Sequence, residues 1–390
     1  MNRLLLFLVL LLLIPCWVMG ILYEVDIRTA YSVISRIPAE LLTIYGPPRA
    51  GDLGRYFYPP FTLVLFSPLS KFPFAEFKAI WLMLQTATYL LFWYFLVKLY
   101  PKVFQNNWRG LWVWIITINP LHNNFQSNNI NIWLAAMLLA AEILQRQRWI
   151  LGQFLAGLLV AMTVHIKVYP AFLALFYFVS GKRSLQTGLI VGLFGFTILP
   201  WFYFGVGNGM ELYRGFLTNV LSYGADNSLT TITDILCLPS LLARVFHGSL
   251  SEGTIASLTK GITVTTVLVF MGAVFRFRGR KNLWELAWLL MVFLNPSTRV
   301  HYFVFLIPAF CFLAEYVSLN WSLETLLFGL GIGLVAFTME GVVGKELNNR
   351  LELLNLPTWG MICLGLGLLL SQFRLQTKYS VFQTPPHQSV

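Results

Sequence analysis

Charged side chains stand directly after the first long apolar run of the chain. The stretch YEVDIRTAY follows the apolar residues 4–22 and contains Glu24, Asp26 and Arg28. A carboxylate in such a place can accept the proton of an attacking hydroxyl group, which is general base catalysis. Two residues along a helix correspond to about 200° around its axis, so Glu24 and Asp26 do not share a face. We therefore assign the base to Asp26, with Arg28 beside it as a substrate-binding residue. The plainer alternative is an ordinary helix end that reaches water.

Two other short stretches between apolar runs carry cations. HIKVYP contains His165 and Lys167, and NPSTRVHYF contains Arg299 and His301. Cations can stabilise the negative charge that develops on a leaving phosphate. One acid and several cations on one face of the molecule would therefore suit group transfer from a phosphate-linked donor. The alternatives are that Lys167 only extends to the membrane interface and that Arg299 and His301 only pair with lipid phosphates or with Glu340.

The remaining motifs are few. Tyr58 in RYFYPPF is a candidate substrate contact, although Tyr-Pro-Pro also suits a rigid entry into a helix, because proline fixes its backbone angle and donates no hydrogen bond. The sequence has no phosphate-cradling Gly-rich loop, no HExxH, no CxxC and no nucleophile elbow. Its four cysteines are scattered, so we expect no disulfide framework, no metal site and no cofactor.

The elements that must position these residues are membrane helices. Of 390 residues, 57% are hydrophobic and only 11% are charged, and the mean hydropathy is +0.69. Apolar runs long enough to cross about 30 Å of hydrocarbon recur along the chain. We therefore predict an all-α polytopic membrane protein. The net charge of +11 is typical of cytoplasmic loop charge in such proteins and does not by itself indicate nucleic-acid binding.

Apolar runs and breakers predict twelve membrane segments in a single domain, residues 1–373. They lie near 4–22, 77–97, 110–120, 130–144, 149–165, 168–180, 185–204, 260–276, 283–295, 301–317, 322–340 and 357–373. The first is predicted to be an uncleaved helix, because the run exceeds a signal-peptide core and no A-x-A site follows. Residues 374–390 are predicted to be a disordered cytoplasmic tail.

Positive charge predicts the orientation. With the N-terminus inside, the inside loops hold Lys98, Lys102, Arg109, Arg146, Arg148, Lys182, Arg183, Arg276, Arg278, Arg280 and Lys281. The short outside turns hold only Lys167 and Arg299, which is the positive-inside pattern. Both long polar loops, 23–76 and 205–259, are then extracytoplasmic, as is Asp26. Within these loops, residues 27–45 and 210–221 have amphipathic patterns that predict helices lying in the interface plane.

In the order of its features the chain resembles glycosyltransferase family 87, the polyprenol-phosphate-mannose-dependent α-mannosyltransferases of the GT-C superfamily. The matching features are an acid after the first helix, YPP before the second, an Asn-rich outer turn, HIKVYP, ADNSLTTI and NPSTRVHYF. The resemblance implies a GT-C helical bundle with interfacial helices around an extracytoplasmic cavity. It also implies inverting transfer of a sugar, mannose above all, from a polyprenyl-phosphate carrier to a lipid- or glycan-linked acceptor in the cell membrane.

The resemblance also implies roles for single residues. Asp26 falls where the family has its catalytic acid, and His301 falls in the region of its functional histidine. The cations of the two outer turns then bind the donor phosphate, namely Arg299, Lys167 and His165, and the amides Asn131 and Asn227 bind substrate. The chain departs from the family in one turn, where a common Gly-Gln-x-Asn reads Asn128-Asn129-Ile130-Asn131.

Two other classes of protein share some of these features. A lipid-linked glycan flippase or transporter would also have many spans and charged outer residues, although such transporters often consist of two related halves. A polysaccharide polymerase would also use a large outer loop and arginines. Transfer of sugar from a polyprenyl-phosphate donor separates the glycosyltransferase from both.

Overall fold

The computed structural model describes residues 3–37, 41–45, 56, 58–221, 235–246, 248–276, 282–316, 322–336 and 343–381. For Asp26 and a few other residues inside helices the description covers the backbone alone. Throughout these ranges the regular structure is helical. The prediction of an all-helical chain is therefore confirmed for the described residues.

The described residues contain the following α-helices. In chain order they are α1 Arg3–Leu22, α2 Val25–Ile34, α3 Pro60–Phe66, α4 Phe74–Leu99, α5 Pro101–Gln105, α6 Asn107–Gln126, α7 Asn131–Arg146, α8 Ile150–Ile166, α9 Ala171–Ser180, α10 Arg183–Phe204, α11 Val206–Gly215, α12 Leu238–Val245, α13 Glu252–Arg276, α14 Asn282–Phe293, α15 Ile307–Tyr316, α16 Leu323–Ala336, α17 Lys345–Leu353 and α18 Leu356–Val381. A π-helical turn, Phe216–Leu221, continues α11, and 3₁₀ turns occupy Leu41–Thr43, Ser67–Lys71 and Val300–Leu306.

Several helix ends follow from the local sequence. Pro60 is the first residue of α3, and the amide of Thr62 donates to the carbonyl of Pro59. A proline suits the first helical position because its missing N–H would have no partner there. At the start of α6 the side chain of Asn106 accepts hydrogen bonds from the amides of Trp108 and Arg109, at 3.1 and 3.2 Å. This N-cap satisfies two of the amides that a helix start leaves without intrahelical partners.

Each predicted membrane segment coincides with a helix, but their lengths differ. Four helices of the described part are long and apolar enough to cross a membrane: α1, α4, α10 and α13. A fifth span results if α17 and α18, which meet at a bend of 57°, are counted together. Five further apolar helices have only 10–17 residues. Twelve spans are therefore not confirmed: five of the helices are shorter than a straight crossing requires, and the predicted segments near 110–120 and 130–144 lie in α6 and α7, which are in neither group.

The two loops predicted to be extracytoplasmic, 23–76 and 205–259, pack against each other through a small core of their own. Leu212 and Phe216 of the α11 region are buried together with Val33 and Tyr45 of the first loop, and the rings of Tyr45 and Phe216 lie 5.7 Å apart. The predicted apolar stripe of residues 210–221 is thus buried at Leu212 and Phe216, against protein. The helix predicted within 27–45 ends at Ile34, followed by a turn.

Candidate active site

The turn between α6 and α7 brings four helices to one point. Asn128 adopts a left-handed backbone conformation with φ of 50°, which asparagine tolerates better than most residues. The indole N–H of Trp81 in α4 donates to the Asn128 carbonyl at 3.1 Å. The Asn128 amide group donates to the carbonyls of Gly20, at 3.1 Å, and Tyr23, at 2.5 Å. The turn therefore ties the ends of α1, α4, α6 and α7 together.

Lys167, directly after α8, is held at the next residues of this turn. Its Nζ donates to Asn129 Oδ1 and to Asn131 Oδ1, at 2.8 Å in both cases. The amine is buried, and three tyrosine rings surround it, with Nζ 5.0 to 5.8 Å from the ring centroids of Tyr58, Tyr169 and Tyr302. Aromatic faces attract a cation, and amide oxygens accept its hydrogen bonds. These contacts fix the position of the ammonium group.

His301 completes this cluster from the other half of the chain. The Asn131 amide donates to the His301 carbonyl at 3.2 Å, and Asn129 Nδ2 lies 3.5 Å from His301 Nε2. Lys167 and Arg299 are both close enough for their charges to act on the His301 ring. Arg299 itself is exposed, at the start of the 3₁₀ turn. The structure thus brings together Lys167, His301, Arg299, Asn131 and Tyr58 from the predicted site.

Four members of the cluster, Asn129, Tyr169, Tyr302 and Gln85, were not predicted from the sequence. Asn129 and Tyr169 lie in sequence stretches quoted above, but the residues predicted to form the site there were Asn131 and Lys167. Tyr169 donates its hydroxyl hydrogen to Asn131 Oδ1 at 2.8 Å. Gln85, buried in α4, donates to the Asn129 carbonyl at 2.7 Å. A glutamine within an apolar run was the available signal for Gln85, because a buried amide requires partners.

Asp26 is the second residue of α2, and its backbone alone is described. Tyr23, three residues earlier, accepts the hydrogen bond from Asn128, so the beginning of α2 lies at the same end of the bundle as Lys167. Asp26 is thereby placed near this cluster by its backbone.

Glu24, the other carboxylate of this stretch, is engaged in ion pairs. Its Oε1 accepts from Lys78 Nζ at 2.6 Å, and its Oε2 accepts from Arg28 Nε at 3.1 Å. The hydrogen bonds from Lys78 and then Arg28 lower the pKa of Glu24. Arg28 also lies over the ring of Phe74, at 4.6 Å. The described partners of Arg28 are therefore Glu24 and Phe74, and a role in substrate binding stays a prediction.

His165 and Asn227 differ from the other predicted site residues. His165 Nε2 lies 3.0 Å from the carbonyl of Leu193 in α10, and its ring packs beside Phe61 and Phe196. These contacts belong to the packing of α8 on α3 and α10, so they do not join His165 to Lys167. Asn227 lies outside the described residues.

The comparison with known families concerns most of this site. A model of glycosyltransferase family 87 matches residues 56–298, more than half of the chain. The chain belongs to glycosyltransferase family 87. The match includes Tyr58, Asn131 and Lys167, and it lies between Asp26 and His301, so it covers neither of them.

A relative from Mycolicibacterium smegmatis (strain ATCC 700084 / mc(2)155) is also similar to the chain. Its name is polyprenol-phosphate-mannose-dependent alpha-(1-2)-phosphatidylinositol pentamannoside mannosyltransferase, and it is 26% identical over 294 residues. The aligned part covers 73% of this chain and 66% of the relative, so the chain spans about two thirds of the length of that protein. No solved structure matches the chain.

The departure from the Gly-Gln-x-Asn signature has a structural explanation. The position of the glycine is occupied by Asn128, whose φ of 50° lies in the region that glycine adopts without strain. Asparagine is among the few other residues that adopt it routinely. Asn129, at the position of the glutamine, still presents an amide oxygen to Lys167. The backbone of the turn and its hold on Lys167 therefore persist without the glycine and the glutamine.

Proposed function

We propose that this family 87 glycosyltransferase transfers a sugar, with mannose favoured, from a polyprenyl-phosphate carrier to a lipid- or glycan-linked acceptor on the extracytoplasmic face. The observation that carries the proposal is the buried ammonium of Lys167, which Asn129 and Asn131 hold at the same turn that contacts His301. Family membership supports sugar transfer, and the name of the relative supports the mannosyl donor.

The chemistry is an inverting displacement at the anomeric carbon of the donor. The carboxylate of Asp26 takes the proton of the acceptor hydroxyl, and that oxygen forms the new bond to the anomeric carbon. The bond from this carbon to the phosphate oxygen breaks, and its electron pair stays on the oxygen. The products are the glycosylated acceptor and polyprenyl phosphate, and the proton rests on Asp26.

The cations act on the leaving phosphate. Lys167 is fixed before the donor arrives, because Asn129 and Asn131 both hold its amine. A preorganised charge stabilises the transition state without reorganisation at the moment of reaction. Arg299 adds a planar fork that suits two phosphate oxygens, and His301 donates a ring N–H to the same phosphate.

The test uses purified protein in proteoliposomes with a panel of polyprenyl-phosphate sugars, including the mannosyl and glucosyl forms. Membrane glycolipids serve as acceptors, and both released polyprenyl phosphate and labelled product are measured. We expect turnover of the mannosyl donor, and we expect Lys167→Met to lower it roughly hundredfold, as loss of a preorganised charge-stabilising group does. Lys102→Met is the matched control, because Lys102 is exposed and pairs with Glu315 elsewhere.

The outcome separates the three classes of protein. Consumption of the donor with a new glycosidic product supports the glycosyltransferase. A flippase would move the lipid-linked sugar across the bilayer without consuming it, and a polymerase would join glycans without releasing polyprenyl monophosphate from this donor. Absence of turnover with every donor of the panel would contradict the proposal.

A further inference from the structure

Asn128 joins the segment that carries Asp26 to the turn that holds Lys167. Its side-chain amide donates to the carbonyls of Gly20 and Tyr23, at 3.1 and 2.5 Å. The last carbonyls of a helix lack intrahelical donors, so an external amide stabilises the end of α1. Only Glu24 separates Tyr23 from the first residue of α2. The side-chain amide of Asn128 thereby helps to hold the junction between α1 and α2, where Lys78 also donates to the Ile21 carbonyl at 2.6 Å.

The backbone of Asn128 is fixed independently of its side chain. Its backbone carbonyl accepts from Trp81 Nε1 at 3.1 Å, and its backbone N–H donates to the Phe125 carbonyl at 3.0 Å. The next residue, Asn129, holds Lys167 Nζ at 2.8 Å. Asn128 is fully buried, and Asn129 is nearly so. Two adjacent residues of one rigid turn therefore contact both halves of the site.

We propose that Asn128 is a positioning residue that sets the distance between Asp26 and the cation cluster of Lys167. This inference rests on the proposed function, in which Asp26 is the base. Proximity effects in catalysis are steep, and a displacement of about 1 Å can lower a rate roughly hundredfold. A glycine at this position would have no side chain to make the two hydrogen bonds, so the link depends on the side chain of Asn128.

Glycine is also the substitution that isolates the side chain. The φ of 50° at Asn128 suits glycine, and the backbone bonds to Trp81 and Phe125 do not involve the side chain. Asn128→Gly should therefore keep the turn, and with it the hold of Asn129 on Lys167, while it releases Gly20 and Tyr23.

Asn355 offers a matched control. It is buried, it has a φ of 54°, and its amide donates to Ser240 Oγ at 2.9 Å while its Oδ1 accepts from Thr358 at 2.5 Å. Asn355→Gly therefore removes a buried asparagine with the same backbone conformation and a comparable number of hydrogen bonds. The described partners of its side chain, Ser240 and Thr358, lie outside the end of α1.

The first measurement is steady-state kinetics with a polyprenyl-phosphate mannose donor in proteoliposomes. For Asn128→Gly we expect kcat to fall roughly tenfold to hundredfold, with the KM for donor within about twofold of the wild type, because the groups assigned to the phosphate remain. For Asn355→Gly we expect no selective fall in kcat. Equal kcat losses in both variants would overturn the inference, as would a raised KM with unchanged kcat in Asn128→Gly.

The second measurement is amide hydrogen exchange of the full-length protein in detergent, read by mass spectrometry. We expect faster exchange in residues 23–30 for Asn128→Gly and unchanged exchange there for Asn355→Gly. Hydrogen exchange can be measured without activity. If the wild type does not transfer sugar, the proposed function is refuted, but the exchange rates still show whether the side chain of Asn128 holds residues 23–30 in place. Unchanged exchange in residues 23–30 for Asn128→Gly overturns the inference.

Discussion

Lys167 illustrates at the scale of single residues how this chain keeps a charge inside protein. Burying an ammonium group is costly unless hydrogen bonds accompany it, and here two asparagine oxygens and three tyrosine faces supply favourable contacts. A donor phosphate at this point would add charge-assisted hydrogen bonds, which are the strong kind. Glu24 is engaged by Lys78 and Arg28, and this engagement supports the proposal that Asp26 is the base.

Asp26→Asn should retain the fold and donor binding but lose sugar transfer. The amide keeps the shape of the side chain, yet it cannot accept the proton of the acceptor hydroxyl. General base catalysis contributes about 10²- to 10⁴-fold, so we expect a loss of at least roughly hundredfold in turnover, measured with labelled donor in proteoliposomes. Transfer at the wild-type rate would assign Asp26 to an ordinary helix end.

Glu24→Gln is the matched control for this substitution, and it should stay largely active. Its ion pairs contribute to stability instead. The pKa of Glu24 is lowered in the folded protein. The ion pairs therefore stabilise the fold at pH values above the pKa that Glu24 has in the unfolded chain. This stabilisation is lost as the pH falls through the lower pKa of the folded protein. We therefore expect the difference in Tm between wild type and Glu24→Gln to be larger at neutral than at strongly acidic pH.

Arg299→Lys should weaken transfer even though the charge is conserved. A guanidinium group presents paired donors in a plane, whereas an ammonium group is a point charge on a flexible stem. We expect a lower kcat/KM for the donor in Arg299→Lys and a larger loss in Arg299→Ala. Arg148 is exposed and lies outside the site, so Arg148→Lys should match the wild type. Normal turnover in both Arg299→Ala and His301→Ala would remove this cluster from the donor site.

At the scale of elements, the close packing of α8 on α10 fixes the end from which Lys167 projects. A Cβ added at Gly188 of α10 would lie 2.1 Å from the carbonyl oxygen of Phe154 in α8, and one added at Gly157 of α8 would lie 2.2 Å from the carbonyl of Leu185. Small residues allow membrane helices to approach closely. The two backbones therefore touch, and separating them would displace the α8 terminus.

Gly188→Ala should destabilise the protein and weaken donor use. The clash is with backbone, which cannot rotate away, so we expect a loss of about 1–3 kcal/mol, typical of overpacking, and a higher KM for donor. Thermal unfolding in detergent and steady-state kinetics measure both effects. Gly195→Ala on the same helix is the control, because its added Cβ meets nothing within 4 Å. If both variants unfold at the same temperature as the wild type, close packing of α8 on α10 is not what fixes this end.

At the scale of the whole molecule, polar contacts gather at the two opposite ends of the bundle. One end holds the Asn-rich turn with Lys167 and His301. At the other end, Tyr177 donates to Glu142 Oε2 at 2.8 Å and accepts from Trp284 Nε1 at 2.6 Å, and Tyr100 donates to Glu285 at 2.9 Å. These pairs lie near the loops whose positive charge predicts a cytoplasmic location.

This assignment of the two ends can be tested by labelling with a membrane-impermeant thiol reagent. We expect a cysteine at Asn208, exposed at the start of α11, to react from outside intact cells, and one at Arg148, exposed between α7 and α8, to react only after permeabilisation. Cys363→Ser lowers the background, because the other three cysteines are buried. The reverse labelling would place the candidate site on the cytoplasmic face.

The sequence by itself determined the helices and the kind of chemistry. Apolar runs and proline breakers are local signals, so the segment predicted at 185–204 is observed as Arg183–Phe204. Local signals predict less reliably whether a segment forms an α-helix or a 3₁₀ turn, and where a helix ends. The segment near 301–317 divides into a 3₁₀ turn, Val300–Leu306, and the helix Ile307–Tyr316, and the helix expected over 27–45 ends at Ile34, since the sequence places Pro38 soon after it.

Only the tertiary structure decided which polar residues meet. Asn129 and Lys167 are 38 positions apart, and Asn131 and His301 are 170 apart. Periodicity indicates which face of a helix is apolar, but it does not say which helix packs against that face or at what height. His165 and Lys167 looked equivalent in HIKVYP, and helix packing assigned the first to a carbonyl of α10 and the second to the Asn-rich turn. That choice depends on close approaches between distant segments, such as that of α8 and α10, which no local pattern encodes.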